Sequence, residues 1–248
     1  SSRANRPFTK LVVIGAGFSG LAMACQLQRR LNCNDYVIYD RSPAPGGTWW
    51  ANKCSLASLH QAFETVDTNT IKKTQDARDI PAVFYSLSFA PNPEFSKVFP
   101  SQAEILEYFN NVAAKFDVSR HIVANTEWEG ACWQGLTSTW LVKLRDISTG
   151  ESYYQECQIL ISAVGGLVNP NPFNVPGIDD FQGDIVHTAR WRPELSLREK
   201  DVIVVGKDVS YKGSYQLNDA ESILGSAAQL VPAIADEAKS ISQFIRVS

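Results

Sequence analysis

The first forty positions carry two short apolar runs, with one glycine turn and a helical pattern between them. Leu11-Val12-Val13-Ile14 is continuous, mostly β-branched and followed at once by glycine. That pattern predicts a buried parallel strand. From Leu21 to Leu31 apolar residues fall at 21, 24, 27 and 31, the spacing of one helical face. Tyr36-Val37-Ile38-Tyr39 predicts a second strand. Further on, Ile105, Phe109, Val112 and Phe116 share one face of a helix, opened by a Ser101/Glu104 capping box. Trp140 to Leu144 alternates, as a strand of an antiparallel meander does, and Ile159 to Ala163, followed by Gly165-Gly166, reads as a buried strand. Asp201 to Val205 reads as another buried strand, entering Gly206. Leu230, Val231 and Ile234 predict a last helix, kinked at Pro232.

Between the first strand and the first helix lies Gly15-Ala16-Gly17-Phe18-Ser19-Gly20, a G-x-G-x-x-G turn. Each glycine has a physical task in a dinucleotide site. Gly15 permits the tight turn, Gly17 lets the backbone approach a pyrophosphate, and Gly20 lets helix pack on strand. The helix start offers unpaired N–H groups and the positive end of the helix dipole to the phosphates, with Phe18 and Ser19 lying in that start. The second strand should end in an acid that bonds a ribose hydroxyl, and Asp40 stands there. Strand, glycines, helix, strand and acid in that order point to a dinucleotide-binding site.

Composition narrows the class. The chain has 248 residues, 44% apolar and 20% charged, enough to bury a core without metal or disulfide staples. A net charge of −3 argues against nucleic-acid or anionic-membrane surfaces. No apolar run approaches the ~20 residues that span a bilayer, and Ser1 to Lys10 has no apolar core of a secretory signal. The five cysteines are odd in number and form no C-x-x-C, which suits free thiols in a reducing, cytoplasmic setting. Three histidines, none paired at ligand spacing, leave no zinc site to expect.

After Asp40 comes Arg41-Ser42-Pro43-Ala44-Pro45-Gly46-Gly47-Thr48-Trp49-Trp50. Paired glycines let backbone pass close to a ligand, and the Trp that follows supplies a flat apolar wall. This block resembles the second phosphate- and flavin-contacting loop of the FAD-dependent class B monooxygenases: the Baeyer–Villiger monooxygenases and their flavin-containing relatives. Ile80-Pro81-Ala82-Val83-Phe84-Tyr85-Ser86-Leu87-Ser88-Phe89 is similar to that family's segment beside the flavin. The resemblance implies that Asp79, Ile80 and Tyr85 approach FAD, with Gly15, Gly17, Phe18, Ser19, Gly20, Asp40, Arg41, Gly47, Thr48 and Trp49.

Phe181-Gln182-Gly183-Asp184-Ile185-Val186-His187-Thr188-Ala189-Arg190-Trp191 matches F-x-G-x-x-x-H-x-x-x-W, the fingerprint of Baeyer–Villiger monooxygenases. Its chemically distinctive residues, Phe181, Gly183, His187 and Trp191, make it more specific than a glycine loop. Arg192 stands where the family usually has Pro or Asp, which leaves room for a neighbouring subgroup. The resemblance implies that His187 governs the linker between two nucleotide domains, not proton transfer at the flavin. The second glycine loop is split: Gly206-Lys207-Asp208 is followed by sixteen residues, 209–224, before Gly225-Ser226-Ala227-Ala228-Gln229. Removing them gives G-K-D-G-S-A-A-Q, close to the family pattern. Residues 54–78 are a similar polar departure. Both segments read either as loop insertions or as translated intervening sequence, and the tight geometry of a pyrophosphate loop favours the second. Gly206, Gly225, Ser226, Gln229 and Arg246 are the NADP residues that the resemblance implies, with Arg246 near the ribose 2′-phosphate.

The expected fold is α/β: a Rossmann-like FAD domain with an antiparallel meander over 1–165, a linker over 166–200 and an incomplete NADP-binding domain over 201–248. The chain would then be the N-terminal half of such an enzyme, with the arginine beside the flavin beyond Ser248 and no catalytic residue to assign within the chain. The implied activity uses FAD, NADPH and O₂ to insert oxygen into a small-molecule ketone, giving an ester or lactone, as in fungal secondary metabolism on polyketides. Two alternatives stay open at this point: a flavin-containing N- or S-oxygenase, and a truncated, non-catalytic FAD-binding fragment. Oligomeric state and substrate identity are not encoded in any of these motifs.

Overall fold

The computed structural model describes residues 5–51, 81–98, 100–166, 169, 173–192, 194–206, 230–231 and 234–244. The atypical segments 54–78 and 209–224 therefore lie outside the described residues. The chain divides into two compact units. The first takes its residues from Ser1–Lys53, Tyr85–Phe95 and Gln102–Phe181, the second from Cys54–Phe84, Ser96–Ser101 and Gln182–Ser248.

The first unit is built on a six-stranded sheet. Its strands are β1 (Asn5–Ile14), β2 (Tyr36–Tyr39), β3 (Ile122–Val123), β4 (Thr126–Gln134), β5 (Thr139–Asp146) and β6 (Ser152–Ser162), in the order β3-β2-β1-β6-β5-β4. β1 pairs in parallel with β2 and β6, and β2 with β3. β4, β5 and β6 pair antiparallel, which is the expected meander. Two helices of fourteen residues follow the apolar spacing: α1 (Phe18–Leu31) and, after the short α2 (Thr48–Ala51), α3 (Gln102–Lys115).

β1 runs through the middle of this sheet, so both its faces must be apolar. Leu11 and Val13 join one core with Leu21, Ala24, Leu27, Ile38, Phe109 and Val112, where α1 and α3 pack. Val12 and Ile14 join the other with Tyr39, Val142, Leu144 and Cys157. The continuous run at 11–14 is thus explained by two-sided burial. β6 is less enclosed than its apolar sequence predicts. Cys157 is fully buried, but Ile159 is 44% exposed and belongs to neither core.

The expected helix at 21–31 starts three residues earlier. Gly20 sits inside its first turn, where a Cβ would lie 2.0 Å from the Gly15 carbonyl oxygen. Tyr85, which the resemblance places near the flavin, lies in a 3₁₀ turn, Ala82–Tyr85. Pro81 opens that turn with its fixed φ, and its carbonyl accepts from Phe84 N–H at 3.0 Å.

The second unit contains β7 (Asp201–Val205) and β8 (Ser240–Phe244), paired in parallel. Leu197, Val204 and Ile234 form its core, with Trp191, Leu230, Val231 and Ile241 packed around them. Leu230, Val231 and Ile234 are helical, as expected, while Pro232 lies outside the described residues. β7 differs from the expected buried strand. Val204 is buried, but Ile203 and Val205 are 60% and 58% exposed. Among the described residues, only one face of the strand meets the core of this unit.

The start of β2 is held by an imidazole. The His121 ring stacks on Tyr36 at 4.0 Å between centroids. Its Nδ1 lies 3.0 Å from the Tyr36 carbonyl and must donate to it, while Nε2 accepts from Arg120 Nε at 3.1 Å. Both ring nitrogens are therefore committed to the neutral form. Arg120 also pairs with Asp117 at 3.0 Å. Burial holds the His121 pKa below its ordinary value, more than the carbonyl raises it. A base with a depressed folded pKa stabilises fully above its unfolded pKa of about 6.5, and that stability is lost as pH falls through the folded value. The wild-type urea midpoint should therefore drop between pH 7.5 and 5.5 by more than that of His121→Phe, which keeps the stack and cannot titrate. Equal drops would remove His121 from the account.

Candidate functional site

The C-terminal ends of β1, β2 and β6 meet around the first glycine turn. Gly15 N–H donates to the Tyr39 carbonyl at 2.8 Å, and Ala163 N–H donates to the Ile14 carbonyl at 2.8 Å. The turn thus begins with its neighbours already paired. α1 then starts at Phe18 with Gly17 as N-cap, no side chain capping it and no acid in its first turn. A helix start of this kind leaves N–H groups and a partial positive charge for an anion. The Phe18 ring packs on Phe109 and Tyr108, at 5.3 and 6.2 Å. Ser19 is exposed beside it.

Asp40 leaves β2 pointing into the turn. Its Oδ2 accepts from Ala16 N–H at 2.6 Å and its Oδ1 from Ser42 N–H at 2.8 Å. Each carboxylate oxygen keeps a further lone-pair site, so two hydroxyls can still be accepted. Arg41 reaches across to Asn169, Nη1 to Oδ1 at 2.9 Å.

The second glycine turn lies against the first. Gly46 N–H donates to the Ala16 carbonyl at 2.9 Å. Gly47 has φ +56, and a Cβ on it would lie 2.8 Å from Gly17 Cα, while a Cβ on Gly17 would lie 3.4 Å from Gly47 Cα. The two backbones approach without side chains between them. Thr48 opens α2, which carries Trp49. The Trp49 ring meets Tyr85 edge-on at 4.8 Å, so these two expected flavin-facing aromatics are neighbours.

The first unit brings together Gly15, Gly17, Phe18, Ser19, Gly20, Asp40, Arg41, Gly47, Thr48, Trp49 and Tyr85. Asp79 and Ile80 lie outside the described residues, as do Gly225, Ser226, Gln229 and Arg246. Gly206 follows β7 with φ +118, and its N–H donates to the Phe244 carbonyl at 2.9 Å. The fingerprint runs from the first unit, at Phe181, into the second. His187 Nδ1 accepts from Ala189 N–H at 3.1 Å and caps a 3₁₀ turn, Thr188–Arg190. Gly183 lies in the exposed stretch before it. Trp191 packs on the core of the second unit. Arg192, the departure from the usual fingerprint, pairs with Asp184 at 2.7 Å, as does Lys200 at 3.0 Å.

Sequence reasoning passed over two residues that touch this site. Gln102 Nε2 donates to the Trp49 carbonyl, and a Cβ on Gly46 would lie 2.6 Å from Leu106 Cδ1. The pattern that marks the helix singles out neither. No local pattern marks a helix residue that bonds to backbone fifty positions away.

A family model described as Pyridine nucleotide-disulphide oxidoreductase matches residues 12–211, most of the chain and the whole first glycine turn. The chain belongs to this family. It is 30% identical, over 95% of its length, to the FAD-binding monooxygenase BOA2 of Botryotinia fuckeliana, and spans 38% of that protein. It is 29% identical to a Baeyer-Villiger monooxygenase of Streptomyces coelicolor, over 96% of this chain and 38% of that one. Among solved structures it matches a cyclohexanone monooxygenase mutant of Rhodococcus sp. Phi1 bound to NADP+. The TM-score is 0.70 at 27% identity, covering 98% of this chain and 39% of that chain. OTEMO in complex with FAD and NADP gives 0.69 at 26%, covering 99% and 39%. The chain thus spans little more than a third of the length of these relatives. No metal-binding cluster occurs among the described residues, and no described helix is long and apolar enough to cross a membrane.

Gly20→Ala should be damaging, because its Cβ would lie 2.0 Å from a backbone oxygen, not from a movable side chain. The urea midpoint should fall by the equivalent of roughly 1–3 kcal/mol, typical of overpacking in a close-packed interior. Ala at the open Gly135 turn position should leave it nearly unchanged.

Proposed function

We propose that this chain is the FAD-binding portion of a flavin-dependent monooxygenase of the Baeyer–Villiger type. One observation carries the reading: an uncapped helix start, two side-chain-free backbones in apposition and a strand-end carboxylate converge at the first glycine turn. These residues fit FAD. The N–H groups of Phe18, Ser19 and Gly20 suit its diphosphate, and Asp40 suits ribose hydroxyls. Gly47, Thr48, Trp49 and Tyr85 suit the flavin end, and Arg41 the rim of the site. Bound FAD supplies the redox and oxygen-activating centre. The chain supplies orientation, the positive helix end and an apolar wall that excludes water.

The relatives support the finer reading. A Baeyer-Villiger monooxygenase, FAD-binding monooxygenases and structures holding FAD and NADP are all similar to this chain. We assign NADPH as the reductant, with Gly206 at the mouth of its site, O₂ as co-substrate and a small-molecule ketone as substrate, in secondary metabolism such as that of polyketides. The fingerprint spacing favours this over N- or S-oxygenation. Neither a nucleic acid nor a membrane is a partner in this reading, and the protein works in the cytoplasm. Residues 1–165 form the FAD domain, 166–200 the linker and 201–248 the start of the NADP domain.

The purified protein should be yellow and bind FAD stoichiometrically. Asp40→Ala should weaken binding about tenfold to a hundredfold, the worth of hydrogen bonds to a charged group. NADPH oxidation that depends on added ketone should follow in the full-length enzyme. A colourless protein that takes up no FAD would end the flavin reading.

A further inference from the structure

The residues that would face the cofactor belong to three separate segments, and one helix touches all three. α3 reaches the first glycine turn through Phe109 and Tyr108, which pack on Phe18 at the start of α1. It reaches the segment after Tyr85 through the Tyr108 hydroxyl, which donates to the Ala90 carbonyl at 2.7 Å and accepts from Leu87 N–H at 2.8 Å. The second glycine turn is reached from the first turn of α3, where Gln102 and Leu106 stand four residues apart and so on one face. Leu106 packs on Gly46 at one end of the turn, and Gln102 holds the Trp49 carbonyl at the other.

We infer that Gln102 is a positioning residue: by its hydrogen bond to the Trp49 carbonyl it fixes the Gly46–Trp49 turn, and through it the Trp49–Tyr85 aromatic wall, in the conformation that accepts FAD. That turn is held in part by its own backbone. Inside it, Trp49 N–H, Trp50 N–H and Ala51 N–H bond back to Gly46 and Gly47. A four-residue helix has little stability of its own. Its rigidity must come from outside, and Gly46 secures one end through its N–H on the Ala16 carbonyl. Gln102 bonds the turn beyond its glycines, from a helix whose buried face of Ile105, Tyr108, Phe109 and Val112 anchors it to the core. Gln102 need not touch the cofactor. It sets the distance between the flavin-facing aromatics and the phosphate end, and its effect would be read as affinity.

This inference rests on the proposed FAD site, so its test includes a readout that needs no flavin. The whole chain carrying Gln102→Met, which keeps the length and loses the donor, or Gln102→Ala, is compared with wild type. Amide hydrogen exchange is measured without FAD, and FAD affinity by titration. Exchange across 46–51 should rise about tenfold in both variants, with α1 and the rest of α3 unchanged, as for a local opening of roughly 1.4 kcal/mol. FAD should bind about tenfold more weakly. Unchanged exchange at 46–51 would overturn the inference. So would a rise spread over α1 and α3, which would make Gln102 a general packing residue. Faster local exchange in a chain whose wild type takes up no FAD would refute the flavin reading alone.

Discussion

The site depends on one close contact, the meeting of two backbones at Gly17 and Gly47. A methyl on Gly47 would sit 2.8 Å from Gly17 Cα, and its φ of +56 disfavours any other residue. With side chains in that space the second turn could not lie on the first. The hydrogen bond from Gly46 N–H to the Ala16 carbonyl would then be lost. The uncapped start of α1 has value only because this contact places a second backbone and its aromatics beside it.

The sheet explains why the contact sits where it does. β1 is central and buried on both faces, so its C-terminal end is fixed from either side by β2 and β6. Asp40 ties the end of β2 to the turn, and the Ala163 N–H ties the end of β6 to that of β1. α3 then braces the second turn from the helical face. The meander adds β4 and β5 to the other side of the sheet and closes the second core around Val142 and Leu144. Its first residue, Thr126, also donates its N–H to the Asp40 carbonyl at 2.8 Å, and without the meander one face of β1 would meet water.

The first nucleotide turn was legible because its chemistry is local. Glycine spacing, a β-branched run and a strand-end acid lie within thirty positions, and the structure joins them as expected. The meander and the α3 helix were legible from their periods. Burial of β6 and β7 was not, because an apolar run tells what a strand can bury and not what arrives to cover it. Ile159 and Ile203 remain exposed for that reason. Gln102 could not be read at all: its partner is a backbone carbonyl, which carries no sequence signal. Asp79, Ile80 and the second glycine loop after Gly206 fall outside the described residues.

The central claim is that the apposed glycine turns and the start of α1 form the seat of a dinucleotide. A crystal structure of the protein with FAD tests it most directly. The account expects the diphosphate against the N–H groups at the start of α1, a ribose hydroxyl on Asp40 and the Gly17–Gly47 contact intact. A dinucleotide seated elsewhere, or the two turns parted around it, would contradict the account.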